Sequence, residues 1–136
     1  MGRAAVASRA AAVGTRRVLI VDDDRVIRQC IADTLREEGY EALTAGHGAE
    51  ALALLGDGLG RPDLILLDMR MPVMDGWTFA REYRRTPGPH APIVVITAAH
   101  DALDRTLEIG AEGVLPKPFD LDQIVEVVDR CLAASA

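Results

Sequence analysis

Four short apolar runs constrain this chain more than any other feature. They are Val18-Leu19-Ile20-Val21, Leu64-Ile65-Leu66-Leu67, Ile93-Val94-Val95-Ile96 and the weaker Val114-Leu115. Each is too short for a helix, rich in branched side chains and not alternating, the pattern of a strand buried on both faces. A fifth segment, Tyr40-Glu41-Ala42-Leu43-Thr44-Ala45, mixes polar and apolar residues and suits a sheet edge.

Helical patterns separate these runs. Ile27, Ile31 and Leu35 recur every fourth residue after Asp24, with Val26 and Cys30 alongside, and Gly39 ends the pattern. An Ala/Leu segment follows Gly48 and stops in the glycines of 56–60. The next helix starts near Asp75 and runs through Trp77, Phe79 and Tyr83 to Pro87-Gly88. Another is expected over 101–109, with Leu103 and Leu107 paired. The last opens at Asp120, with Gln123 three residues on as a capping box and Ile124, Val127, Val128 and Cys131 as its stripe. Five alternations of strand and helix predict an α/β fold, a doubly wound five-stranded parallel sheet with helices on both faces.

With 136 residues, the chain has room for one domain and one core. The first fifteen residues are Ala-rich, contain Arg and lack acids, and are expected to form a loose tail before a domain spanning 16–134. No apolar run approaches the roughly 20 residues that span a bilayer. The net charge is −6, and four Arg within residues 1–17 leave −10 on the remainder, a poor match for nucleic acid phosphates. Cys30 and Cys131 form no metal-ligand spacing and are expected to be buried free thiols in a reducing cytosol. His47, His90 and His100 lack ligand spacing as well. Gly46-His47-Gly48 supplies two glycines of a dinucleotide fingerprint but not the third, so a loop before a helix suffices.

Ligands of doubly wound sheets bind outside the carboxyl ends of the strands. There this sequence places Asp22, Asp23 and Asp24, then Asp68, Thr97 and Lys117. Asp22, Asp23 and Asp68 bring −3 into a confined space, Lys117 returns +1, and a hard divalent cation such as Mg²⁺ balances the rest. Asp24 suits a helix N-cap. Lys117 is the only lysine among 15 basic residues. A compact ammonium reaches an anion as a point charge, where Arg would impose a flat fork. Pro118 holds the backbone of Lys117 out of helix.

Together, Val-Asp-Asp-Asp at 21–24, Leu-Asp-Met-Arg-Met-Pro-Val-Met-Asp-Gly at 67–76, Ile-Thr-Ala at 96–98 and Lys-Pro-Phe at 117–119 resemble the receiver domain of two-component response regulators. In extent the resemblance is to the chemotaxis-type single-domain form. It implies a flavodoxin-like strand order, 2-1-3-4-5, and a signalling module rather than an enzyme, one that assists its own phosphorylation and dephosphorylation. Asp68 is then the phosphoacceptor, taking its phosphoryl group from a sensor histidine kinase or a histidine phosphotransfer protein. Mg²⁺ would be held by Asp23, Asp68 and the backbone carbonyl of Arg70, with Asp22 acting largely through bound water. Lys117 would pair with the carboxylate and then the phosphoryl oxygens, across a Lys-Pro bond that is often cis in the family. The Thr97 hydroxyl would bond a phosphoryl oxygen. A cytoplasmic location and a downstream protein target on the fourth-helix to fifth-helix face are also implied, with no direct contact to nucleic acid or membrane.

Three departures bear on that resemblance. Val114 stands where many receivers carry a rotating aromatic ring. Arg70 and Ala99 offer neither acid nor amide at positions that influence phosphoryl lifetime, which implies slow hydrolysis. After the last helix the sequence shows no output domain, leaving a free-standing receiver, a relay shuttle or part of a larger regulator open. Two other readings compete. A receiver-shaped interaction module could go unphosphorylated. VLIVDDDRV also fits the Asp-x-Asp-x-Val pattern of haloacid-dehalogenase-type phosphohydrolases, with Asp22 as nucleophile and Asp24 as acid/base, but that leaves Asp68 idle and its later metal-binding acids are missing.

Overall fold

The apolar runs form strands because a central parallel sheet gives them two covered faces. A computed structural model of the chain describes residues 15–56, 61–98, 104 and 108–134. Its strands are β1 (Arg17–Val21), β2 (Glu41–Ala45), β3 (Leu64–Asp68), β4 (Ile93–Ala98) and β5 (Gly113–Lys117). Among the described residues the helices are α1 (Arg25–Glu37), α2 (Gly48–Gly56), α3 (Gly76–Arg85) and α4 (Leu121–Ala134), the last numbered without the helix expected over 101–109. All four strand pairings are parallel and the order is β2-β1-β3-β4-β5. The doubly wound expectation therefore holds, with the mixed strand β2 at one edge.

Successive residues of each strand feed opposite layers. Leu19, Val21, Ile65, Leu67, Ile93 and Val95 pack with Ala51 of α2 and Phe79 and Tyr83 of α3. Val18, Ile20, Leu64, Leu66, Val94 and Ile96 pack with Ile31 and Leu35 of α1 and with Ile124 and Val128 of α4. Both faces are covered, so the strands have no polar face to alternate with.

Local chemistry sets the helix ends. Asp24 caps α1, its Oδ1 accepting from the backbone N–H of Val26 (3.0 Å) and Ile27 (3.1 Å). Gly39 follows the end of α1 at φ 96°, a left-handed conformation that glycine adopts without strain. Asp75 caps α3 through Thr78 N–H at 2.9 Å. The capping box of α4 is reciprocal: Asp120 N–H donates to Gln123 Oε1 at 2.9 Å and Gln123 N–H to Asp120 Oδ1 at 3.0 Å.

Two expectations need correction. Val26 and Cys30 do not share the buried stripe of α1; Val26 is 71% exposed and Cys30 is exposed. Each precedes a core-facing residue by one position, a turn of about 100° that carries it to solvent. Cys131 is only half-buried, so neither cysteine is the buried thiol expected, although no disulfide joins them. The tail of 1–14, the glycines of 57–60, Ala99, His100 and most of the helix expected over 101–109 lie outside the described residues. At its described end, Glu108 accepts a hydrogen bond from Trp77 Nε1.

Candidate functional site

Strand register brings the expected polar residues to one end of the sheet. Val21 of β1 pairs with Leu67 of β3, so Asp22 and Asp68 each stand one residue further along. Asp68 pairs with Ile96, setting Thr97 one step beyond it on β4, and Ala98 pairs with Lys117 on β5. Asp22, Asp68 and Thr97 are buried, whereas Asp23 is exposed.

The acids converge. Carboxylate oxygens of Asp22, Asp23 and Asp68 lie within 4.8 Å of one another. Lys117 Nζ stands 3.0 Å from Asp22 Oδ2 and 3.5 Å from Asp68 Oδ2. Asp22 Oδ2 has no aligned hydrogen-bond donor, and the ammonium supplies its counter-charge. Oδ1 of the same group accepts from the Asp24 N–H at 2.9 Å. On Asp68, Oδ1 accepts from the backbone N–H of Arg70 at 3.4 Å, a long bond that leaves the carboxylate weakly satisfied.

That crowding changes the acidity. Burial, then the Asp22 charge, push Asp68 up to about 6, against the opposing pull of Lys117 and the Arg70 N–H. Burial disfavours the Lys117 ammonium, but its close pairing with the Asp22 carboxylate and the charge of Asp68 win, so its pKa is raised. Asp68 is thus held near the boundary between acid and carboxylate beside a firmly charged lysine. Three hard oxygen donors against one ammonium leave a net −2, and the donor set fits a small divalent cation.

Around the acids, loops approach closely. Gly76 N–H donates to Met69 O at 3.0 Å, and a Cβ on Gly76 would stand 2.8 Å from Asp68 O. Met74 O accepts from Gly48 N–H at 3.2 Å, joining the loop after Asp68 to the start of α2. Val73, in that loop, has φ 67° and is 81% exposed, an unusual conformation for a β-branched residue. The Lys117–Pro118 bond is cis. Val114 is half-buried against the core layer of α2 and α3.

Two polar residues that spacing left without a role have one here. His47 Nδ1 accepts from Glu50 N–H at 3.2 Å while Glu50 Oε1 accepts from Gly46 N–H at 2.5 Å, so His47 caps α2. Arg28 Nη1 donates to the backbone carbonyl of Asp22 at 3.0 Å. No motif spacing signals either contact, because both depend on backbone atoms brought together by the fold. The Asp24 carboxyl is engaged as the α1 cap, which speaks against an acid/base partner for Asp22.

Comparison with known proteins agrees with this geometry. The family model of the response regulator receiver domain matches residues 18–129. Response regulator MprA of Mycobacterium sp. (strain KMS) is 40% identical over 111 residues, 80% of this chain and 47% of that protein. The chain therefore spans about half the length of the curated relatives it matches. The chemotaxis response regulator CheY4 of Vibrio cholerae superimposes with a TM-score of 0.79 at 36% identity, over 88% of this chain and all (100%) of that one. Response regulator TrrA of Thermotoga maritima, solved in complex with Mg²⁺-BeF, has a TM-score of 0.74 at 35% identity, over 87% of this chain and 100% of that one.

Proposed function

This chain belongs to the response regulator receiver domains, and from that premise we propose that Asp68 is its phosphoacceptor, charged by a histidine kinase or a histidine phosphotransfer protein. The observation that carries the reading is the convergence of three carboxylates within 4.8 Å with Lys117 Nζ at 3.0 and 3.5 Å. A carboxylate oxygen of Asp68 attacks phosphorus on a phosphohistidine. The O–P bond forms as the P–N bond breaks, and the electron pair and a proton end on the departing imidazole. Asp23, Asp68 and the Arg70 carbonyl would hold Mg²⁺, and Asp22 would act through water. When bound, Mg²⁺ neutralises charge on the acids and on the incoming phosphoryl group.

Lys117 begins paired to Asp22 and Asp68 and turns its ammonium to the phosphoryl oxygens once Asp68 is phosphorylated. Thr97, one step beyond the level of Asp68 on the neighbouring strand, donates its hydroxyl to a phosphoryl oxygen. Arg70 and Ala99 lack the acid or amide that would orient a hydrolytic water, so the acyl phosphate is long-lived. The downstream partner is a protein docking beside α4 and the edge strand β5, whose Gly113, Val114 and Leu115 are only half-buried. Two cysteines not joined by a disulfide, Cys30 exposed and Cys131 half-buried, suit a reducing cytoplasm. No helix among the described residues is long and apolar enough to cross a membrane.

Intact mass after incubation with acetyl phosphate, with and without Mg²⁺, tests the proposal on wild type, Asp68→Asn and Asp22→Asn. One Mg²⁺-dependent phosphoryl adduct is expected, abolished by Asp68→Asn and slowed by Asp22→Asn. An adduct that survives Asp68→Asn but is lost with Asp22→Asn would move the nucleophile to Asp22. No adduct, from acetyl phosphate or from a phosphohistidine donor, would leave an unphosphorylated interaction module.

A further inference from the structure

We infer that Arg28 is a positioning residue of the acidic pocket, holding the peptide between Asp22 and Asp23 so that both carboxylates face a common cation. The inference rests on the cation-binding reading of these acids and adds a residue that lies outside their motif. The Asp22 carbonyl belongs to the peptide that joins the two acids, so its orientation sets where each side chain points. β1 ends at Val21, and that carbonyl takes its donor from a side chain: Arg28 Nη1, at 3.0 Å. The same residue is pinned at its N–H, which donates to Ala45 O at 3.1 Å, and at Oδ1, which accepts from Asp24 N–H at 2.9 Å. Arg28 thus supplies the hold on the Asp23 side of Asp22, next to the one exposed acid of the group.

Space and charge are arranged for that contact. Gly46 leaves its side open: a Cβ there would stand 3.4 Å from Arg28 Nη1 and 3.4 Å from Glu50 Oε1. The guanidinium therefore lies beside bare backbone, with the Glu50 carboxylate on the same side of Gly46. An arginine suits the task because its fork stays charged at all relevant pH and spans from the second turn of α1 back to the strand end.

The Mg²⁺ dependence of phosphorylation separates positioning from a general contribution to folding. Wild type, Arg28→Gln and Arg28→Lys are labelled with acetyl phosphate across a Mg²⁺ series and followed by intact mass, with Tm recorded in the absence of divalent ions. Partners that orient metal ligands typically change affinity by roughly 10–100-fold. Arg28→Gln is expected to raise the half-saturating Mg²⁺ concentration about tenfold while the rate at saturation stays within about twofold, and Arg28→Lys to fall between. Half-saturation equal to wild type in Arg28→Gln overturns the inference, whatever happens to Tm. Should Arg28→Gln fail to fold, Gly46→Val must raise half-saturation in the same direction, because its branched side chain extends from a Cβ already in contact with the guanidinium; no change there overturns it equally. A wild type that takes no phosphoryl group sinks the reading of the site itself, whereas a labelled wild type with indifferent variants sinks only the role of Arg28.

Discussion

Asp68 is buried, faces the negative charge of Asp22, and titrates near 6 rather than near 3.8. A folded-state pKa raised above the unfolded value means that ionisation costs stability. This group's favourable contribution is complete below about 3.9 and is lost as pH rises through about 6. In the absence of divalent ions, Asp68→Asn should therefore stabilise the protein at pH 7.5, by on the order of 1–3 kcal/mol. The gain should shrink steeply toward pH 4, where both folded proteins carry a neutral group, and vanish below the unfolded pKa. Urea unfolding of the pair between pH 4 and 8 checks this, and a difference independent of pH would remove ionisation as its cause. At this scale the sequence was legible wherever chemistry lives in side-chain type: Asp22, Asp23, Asp68, Thr97 and Lys117 all reach the sheet end. It was illegible where a side chain serves a backbone atom, as Arg28 and His47 do, and it did not reveal that Asp22 is buried while Asp23 is exposed.

Strands were the easiest elements to read, since a run buried on both faces admits few other interpretations. Helix faces were harder. The spacing of Ile27, Ile31 and Leu35 located the buried stripe of α1 but not its width, and Val26 and Cys30 fell outside it. Close packing between elements leaves no trace in periodicity at all. Gly76, the first residue of α3, sits against the end of β3, where a Cβ would come within 2.6 Å of Met69 Sδ and 2.8 Å of Asp68 O and Met69 Cα. The sulfur could swing aside, but the backbone of Asp68 and Met69 could not. Gly76→Ala is expected to cost about 2 kcal/mol, within the ordinary range of overpacking, and to weaken Mg²⁺ binding by displacing Asp68. Chemical denaturation and Mg²⁺ titration of the variant measure the two effects. A stable Gly76→Ala protein with unchanged Mg²⁺ affinity would mean that α3 shifts freely without disturbing Asp68.

The whole molecule is a sheet whose one end concentrates negative charge. Five parallel strands bury their apolar residues in two layers, while β1 and β3 deliver three acids to a space that holds one lysine. Without a cation, the fold must tolerate that repulsion, and core packing supplies the tolerance. A divalent ion that binds only the native state should therefore appear as global stability. At a concentration one hundredfold above Kd the gain is about 2.7 kcal/mol, and for a domain of this size that raises Tm by roughly 10 °C. Asp23 distinguishes specific binding from screening. It is exposed, so Asp23→Asn should leave the Mg²⁺-free Tm almost unchanged while abolishing most of the rise with Mg²⁺. Sodium chloride at matched ionic strength should not reproduce the rise, because screening acts on exposed charges generally and cannot bridge three carboxylates. Scanning calorimetry of wild type and Asp23→Asn across a MgCl₂ series measures this. Equal stabilisation by sodium chloride, or a full Mg²⁺ response in Asp23→Asn, would mean that the acids at the sheet end do not form the cation site.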